Sequence, residues 1–218
     1  MSLTKYLNPN YSNRQERNEY VLELITKNFL DTKSILNIGG GQKRYLKNSG
    51  FIVTEIDKEG DNDFSLNLDV IDKLPFENNS FDTVLALDVL EHLEKFYFIF
   101  EEILRVSKKN VIISLPNSMI DLIPIFLNRK KKDKNNQGVY NKFYGLPVQE
   151  PIDRHRWFLT ISDIERFFEI KSKNHNFQYD ILLPKGNSLK LRLLSLFLNK
   201  RLKKELLTKY CWILIKKL

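Results

Sequence analysis

Four short apolar runs in the first half of the chain each stop at a glycine or an acid, and helical patterns lie between them. Ser34–Ile38 breaks at Gly39, Gly40 and Gly41, Phe51–Ile56 ends at Asp57, Phe64–Leu68 at Asp69, and Phe81–Leu87 at Asp88. Runs of this length with β-branched residues read as buried strands. Arg14–Phe29 places Tyr20, Val21, Leu24, Ile25 and Phe29 near one helix face, and Phe96–Val106 does the same with Phe96, Phe100, Ile103 and Leu104. Gln42–Lys47 reads as a helix opening, and Asn110–Leu115 is a fifth strand ended by Pro116. The alternation β-α-β-α-β predicts an α/β domain with a parallel sheet.

Beyond Pro116 the pattern loosens. Asn117–Leu127 suits a short helix, and Asn128–Glu150 is polar, lysine-rich and proline-punctuated, as a lid or insertion would be. Thr160–Phe168 carries N-cap candidates Thr160 and Ser162 ahead of Ile161, Ile164, Phe167 and Phe168, so a further sheet-covering helix is expected there. Ile170–Phe177 and Tyr210–Ile215 are read as the closing strands. The organisation expected is one domain over 1–218: an N-terminal helix over 1–30, a ligand-binding core over 31–117, a lid over 118–157, and closing elements with a basic Leu/Lys-rich helix over 158–218.

Composition narrows the class. With 218 residues, 42% hydrophobic and only 8 Gly and 7 Pro, the chain can bury a full core and is neither disordered nor collagen-like. Cys211 is the single cysteine, which excludes an internal disulfide framework and any all-cysteine metal site and points to the cytoplasm. No run of about 18 apolar residues is present, so no membrane span is expected. Charge is unevenly divided: residues 1–128 hold 14 basic and 19 acidic side chains, 129–184 hold 11 and 7, and 185–218 hold 10 and 1. The net positive charge of the chain therefore sits on its appendages, and an anionic partner is expected there.

In open parallel sheets ligands bind outside the carboxyl ends of the strands, where the strand order reverses. Four groups fall at such ends. Asn37-Ile38-Gly39-Gly40-Gly41-Gln42-Lys43 lets backbone approach a ligand closely. Asp57 suits the paired hydroxyls of a ribose, and Asp69 the exocyclic amine of adenine. Asp88 is followed by Glu91 and His92, three and four residues on, one helical turn away.

These residues carry a resemblance. ILNIGGGQKRYL resembles the glycine motif, VTEID the second motif, NLDVIDKLPFENNSFDTVLALDVLEHL the third and fourth, and EEILRVSKKNVIISLPN the helix and fifth strand of class I S-adenosylmethionine-dependent methyltransferases, of the group that includes ubiquinone and menaquinone biosynthesis enzymes. The resemblance runs from Ile35 to Asn117, and HRWFLTISDIERFFE resembles the segment before the family's closing strands. It implies a Rossmann-like fold with a seven-stranded, mostly parallel sheet, helices on both faces and a lid insertion. It further implies S-adenosylmethionine as cofactor, with Asn37, Gly39, Gly40 and Gly41 along its methionine part, Ile56 and Asp57 at the ribose, Asp69 and Val70 at adenine, and Leu87 lining the pocket. The sequence departs from the family in two places: Asn37 stands where an acid is usual, and Lys43 where a third spaced glycine is usual.

For catalysis the candidates are His92, Asp88 and His155. An unperturbed histidine titrates near neutral pH, at about 6.5, so His92 suits a general base, and equally a structural cap for the following loop. Ubiquinone-pathway relatives use a similar Asp-Glu-His cluster for a divalent cation, whereas others carry the Glu-His pair without one; no metal is expected. His155, in Asp153-Arg154-His155-Arg156-Trp157, is the second candidate base, with Trp157 either walling the substrate or anchoring the lid. Ser188–Leu207 has two apolar stripes on nearly opposite sides, which suits a helix packed between partners or in a homodimer better than one lying on a membrane. The function expected is O-methylation of a small molecule or glycan-pathway intermediate. The alternatives are an RNA methyltransferase or RNA-binding module using the basic C-terminal segment, and a catalytically silent methyltransferase-like interaction protein. A nicotinamide oxidoreductase ranks last, since Gly39-Gly40-Gly41 does not satisfy G-x-G-x-x-G.

Overall fold

The computed structural model describes residues 5–7, 13–40, 44–120, 122, 154–184 and 198–218. Its strands are β1 (Lys5–Leu7), β2 (Ser34–Ile38), β3 (Ile52–Asp57), β4 (Phe64–Ser65), β5 (Phe81–Leu87), β6 (Ser107–Pro116), β7 (Phe177–Pro184) and β8 (Tyr210–Lys217). The α-helices bounded within the described residues are α1 (Arg14–Asn28), α2 (Phe96–Val106), α3 (Ile161–His175) and α4 (Lys200–Leu207), and residues 118–120 and 122 are also helical. One sheet in the order β1-β7-β8-β6-β5-β2-β3-β4 joins all the strands, parallel everywhere except at β8, which runs antiparallel to both β6 and β7. Strands β2 to β8 form the expected seven, and the three-residue β1 adds an eighth at the edge beside β7.

Period-two alternation makes this a three-layer sandwich. Leu36, Ile38, Val84, Ala86, Val111, Ile113, Ile213 and Ile215 bury into a core with α2 and α3, while their neighbours Ile35, Leu85, Leu87, Ile112, Trp212 and Leu214 pack with Val21, Leu24 and Ile25 of α1 on the other face. Strands buried on both faces must be nearly continuous apolar runs, which is why they were legible as such. Helix α1 opens on Asn13, whose side chain accepts from the Glu16 N–H, and its apolar set Tyr20, Val21, Leu24 and Ile25 is the one that faces the sheet. The Leu74-Pro75-Phe76 segment is clamped by α2: Glu102 accepts from the Leu74 N–H at 2.7 Å, and Arg105 donates to the Phe76 carbonyl at 2.7 Å while pairing with Glu102. That clamp holds Glu102 below the ordinary carboxylate range, through the Arg105 hydrogen bonds first.

Three expectations change. From Arg44 onward the chain forms i→i+3 turns, Lys47 N–H to Arg44 and Ser49 N–H to Leu46, before Gly50 at φ +83° turns it into β3. So few residues between β2 and Gly50 give little return for helix nucleation. Ile170–Phe177 is not a strand: α3 continues through His175, with Thr160 and Asp163 forming a capping box at its start, and ends on Asn176 in the left-handed conformation at φ 50°. Strand β7 begins only at Phe177. Phe64–Leu68 pairs over Phe64–Ser65 alone. The expected lid lies largely outside the described residues, as does Ser188–Phe197; within the second of these calls, α4 over Lys200–Leu207 is helical.

Candidate active site

Chain order sets the location. From β2 the chain steps outward through β3 to β4, and then returns to lay β5 on the other side of β2. The carboxyl ends of β2 and β5 therefore diverge at a switch point, where a crevice opens. Gly39 leaves β2 at φ +73°, donating its N–H to the Ile56 carbonyl at 2.8 Å, and a Cβ on it would lie 2.7 Å from Val89 Cγ2 in the turn after β5. The two turns thus touch at the switch point, with glycine required by both backbone angle and space.

Around that point lie the ends of three strands that carry some of the expected cofactor residues. Asn37 is buried at the end of β2 and pairs in register with Glu55 of β3. Ile56 is fully buried, and Asp57 closes β3 with its Oδ1 accepting from the Lys58 N–H at 2.6 Å, which fixes the carboxylate at the strand tip. Leu87 is buried at the end of β5, and Val70 is exposed. Asp69 is engaged as a brace: its Oδ1 accepts from the Glu94 and Lys95 N–H groups at 2.8 and 3.3 Å, tying the loop after β4 to the entry of α2. Gly41 lies outside the described residues.

Of the expected catalytic residues, two meet and one does not. After β5 a 3₁₀ turn, Leu90–His92, carries Glu91 and His92. The segment 154–157 is stitched to this turn: His92 Nδ1 bonds the Arg154 carbonyl at 3.3 Å, the Arg156 N–H donates to the Glu91 carbonyl at 2.7 Å, and Trp157 Nε1 donates to the Leu93 carbonyl at 2.6 Å. This seats buried His155 edge-on against His92, ring centroids 4.6 Å apart. Glu91, His92 and His155 each bring one ligand-capable atom within 4.8 Å of the others. Asp88 lies outside that trio. It sits at φ 52°, takes the Ser114 hydroxyl on Oδ1, and pairs on Oδ2 with Arg17 of α1. Trp157, packed on Phe96 and Tyr97, is an anchor.

Because a carbonyl can only accept, Nδ1 of His92 carries a proton, and its Nε2 lies 3.9 Å from Glu91 Oε1. Glu91 is buried at 1% exposure, and burial, reinforced by the Asp88 charge, pushes its pKa up to about 8. Its Oε2 finds no hydrogen-bond partner among the described residues. A carboxyl whose pKa is raised beside an imidazole is a site for moving a proton, and a carboxylate with two imidazoles is a donor set that a divalent cation also accepts. Glu91 entered the sequence reading within the Asp88-Glu91-His92 group, whereas Glu55 and Arg17 had no site role there; nothing in the local pattern marks a residue whose role depends on contact across 71 positions, as Arg17 with Asp88 does.

Residues 40–115 match the methyltransferase domain family. No curated protein matches the sequence. Among solved structures, the chain is similar to a plantazolicin methyltransferase bound to a desmethyl-plantazolicin analogue and S-adenosylhomocysteine (TM-score 0.58, 19% identity, 93% of this chain and 84% of that one). It is also similar to an S-adenosylmethionine-dependent methyltransferase from Archaeoglobus fulgidus (0.57, 14%, 94% and 95%) and to the small RNA methyltransferase HEN1 (0.59, 15%, 99% of this chain and 27% of that one).

Proposed function

We propose that the chain, which has the fold of S-adenosylmethionine-dependent methyltransferases and matches a methyltransferase domain over residues 40–115, is such an enzyme and methylates a hydroxyl oxygen, with His92 receiving the acceptor's proton. The observation that carries this reading is the convergence of Glu91, His92 and His155 beside the switch point, with the His92 ring oriented by the Nδ1 bond to the Arg154 carbonyl. The residues around that point suit the cofactor: Gly39 and Gly40 keep the backbone bare where a Cβ would meet Val89, Asn37 and Glu55, Asp57 holds a fixed carboxylate at the tip of β3, and Leu87 is buried at the end of β5. When bound, S-adenosylmethionine supplies an activated methyl group on a sulfonium. The chain's own contribution is then alignment of the acceptor and removal of its proton.

The acceptor we favour is a small molecule or glycan-pathway intermediate. Lysines and arginines over 129–134 and 185–204 suit an anionic one. RNA is the second reading, favoured by the likeness to HEN1 together with the basic C-terminal segment. Transfer of labelled methyl to hydroxylated glycans, to oligoribonucleotides and to their 2′-deoxy counterparts separates these, and label on ribonucleotides alone would move RNA to first place. His92→Asn should lower the rate constant by about a hundredfold or more, the usual contribution of a positioned base, while leaving cofactor affinity unchanged. The same assay with chelator, then with Mg²⁺ or Mn²⁺, assigns the trio: chelator-insensitive turnover leaves His92 as a simple base, and cation-dependent turnover makes Glu91, His92 and His155 a metal site that orients the hydroxyl and lowers its pKa.

A further inference from the structure

The family's usual acid is missing at Asn37, yet a buried carboxylate stands beside it on the next strand. Asn37 and Glu55 are register partners on β2 and β3, both almost fully buried at 4% and 2% exposure, and Asn37 Nδ2 donates to Glu55 Oε1 at 3.3 Å. Glu55 Oε2 is buried without a hydrogen-bond partner among the described residues. The glycine turn lies directly against the pair: a Cβ on Gly40 would come within 2.9 Å of Asn37 Nδ2 and 3.4 Å of Glu55 Oε2. We infer that Glu55 has taken over the charge role of the absent acid, and that its carboxylate, oriented by Asn37, receives the ammonium group of the cofactor's methionine part. This assignment rests on the methyltransferase reading above.

A buried carboxylate oxygen with no donor is costly, and native structures pair such groups with protein, water or ligand. Burial raises the Glu55 pKa, against the smaller lowering effects of the Asn37 hydrogen bond and of the Arg44 charge, so the bare carboxyl holds its proton more readily than an ordinary glutamate, and a cation at Oε2 would favour the ionised form. An ammonium group also supplies N–H donors and charge together, and a charge-assisted hydrogen bond is about twice as strong as a neutral one. Asn37, in turn, is suited to its place by being neutral: an acid there, facing Glu55 across the strand pair, would set two like charges side by side in the core.

The test compares S-adenosylhomocysteine with its analogue lacking the amino group, by calorimetric titration of the wild-type chain, Glu55→Gln, and the double variant Glu55→Gln/Asn37→Asp. Wild type should prefer the amine-bearing ligand by about tenfold to a hundredfold, as removal of a charged hydrogen bond implies. Glu55→Gln should lose most of that preference, and the carboxylate that the double variant places on β2 should restore it. Equal wild-type affinity for the two ligands overturns the assignment without recourse to any variant, and so does a folded Glu55→Gln that keeps the full preference. If wild type binds neither ligand, the methyltransferase reading itself fails and this assignment falls with it.

Discussion

Gly39→Ala should destabilise the chain by about 3 kcal/mol in urea unfolding and abolish measurable cofactor affinity. Two costs combine. At φ +73° an alanine is strained by about 1–2 kcal/mol relative to glycine. Its Cβ would also stand 2.7 and 2.8 Å from Val89 Cγ2 and Cβ, and relieving such overlap in a packed site costs about 1–3 kcal/mol. Relief can come only by moving the turn after β2 or the turn after β5. Both are walls of the crevice, so the stability loss and the loss of binding should appear together. Gly50→Ala is the control: it shares the positive φ, at +83°, but nothing lies within 4 Å of its added Cβ, so it should show the backbone cost alone and bind normally.

Glu91→Gln should abolish the loss of stability with rising pH that arises at the site. In the folded chain the Glu91 carboxyl keeps its proton up to about pH 8, whereas an unfolded chain releases it near the ordinary value of 4.5. Between those values the native state binds the additional proton, so Glu91's contribution to stability is complete below about pH 4.5 and is lost as pH rises through about 8. The isosteric amide is neutral throughout and has no such loss. Unfolding free energies of wild type and Glu91→Gln, measured with chelator present from pH 5 to 8.5, should therefore diverge in the variant's favour by on the order of 3 kcal/mol. Parallel curves would mean that Glu91 is already ionised in the native chain.

Much of this architecture was legible because its determinants are local. Residues buried on both faces of a sheet must be apolar in sequence, so β2, β3, β5 and β6 stood out, and their terminal glycines and acids marked the carboxyl edge at once. The α1 stripe Tyr20, Val21, Leu24 and Ile25 was equally plain. Ile170–Phe177 misled because short mixed runs satisfy both periods; the deciding feature, a capping box ten residues earlier together with Asn176 in a left-handed conformation, fixes the helix by its ends. The site was half legible. His92 and His155 were each visible as candidates, but their meeting depends on hydrogen bonds to backbone carbonyls across 62 and more residues, between 91–93 and 154–157. Asp88 had the right spacing to join them, yet its carboxylate is taken by Ser114 and Arg17. Glu55 was invisible as a site residue, since an acid inside a strand run has no meaning until the strand beside it is known to carry Asn37.

The proposed methyl transfer turns on whether the crevice between β2 and β5 binds S-adenosylmethionine. Calorimetric titration of the full chain with S-adenosylmethionine and S-adenosylhomocysteine, with NAD as control and Asp57→Ala alongside, tests it most directly. Both adenosyl ligands should bind in the micromolar range and NAD should not, with a loss of about tenfold or more in the variant as the ribose hydrogen bonds to the carboxylate disappear. Absence of binding to the wild-type chain would contradict this and leave a methyltransferase fold serving as an interaction partner.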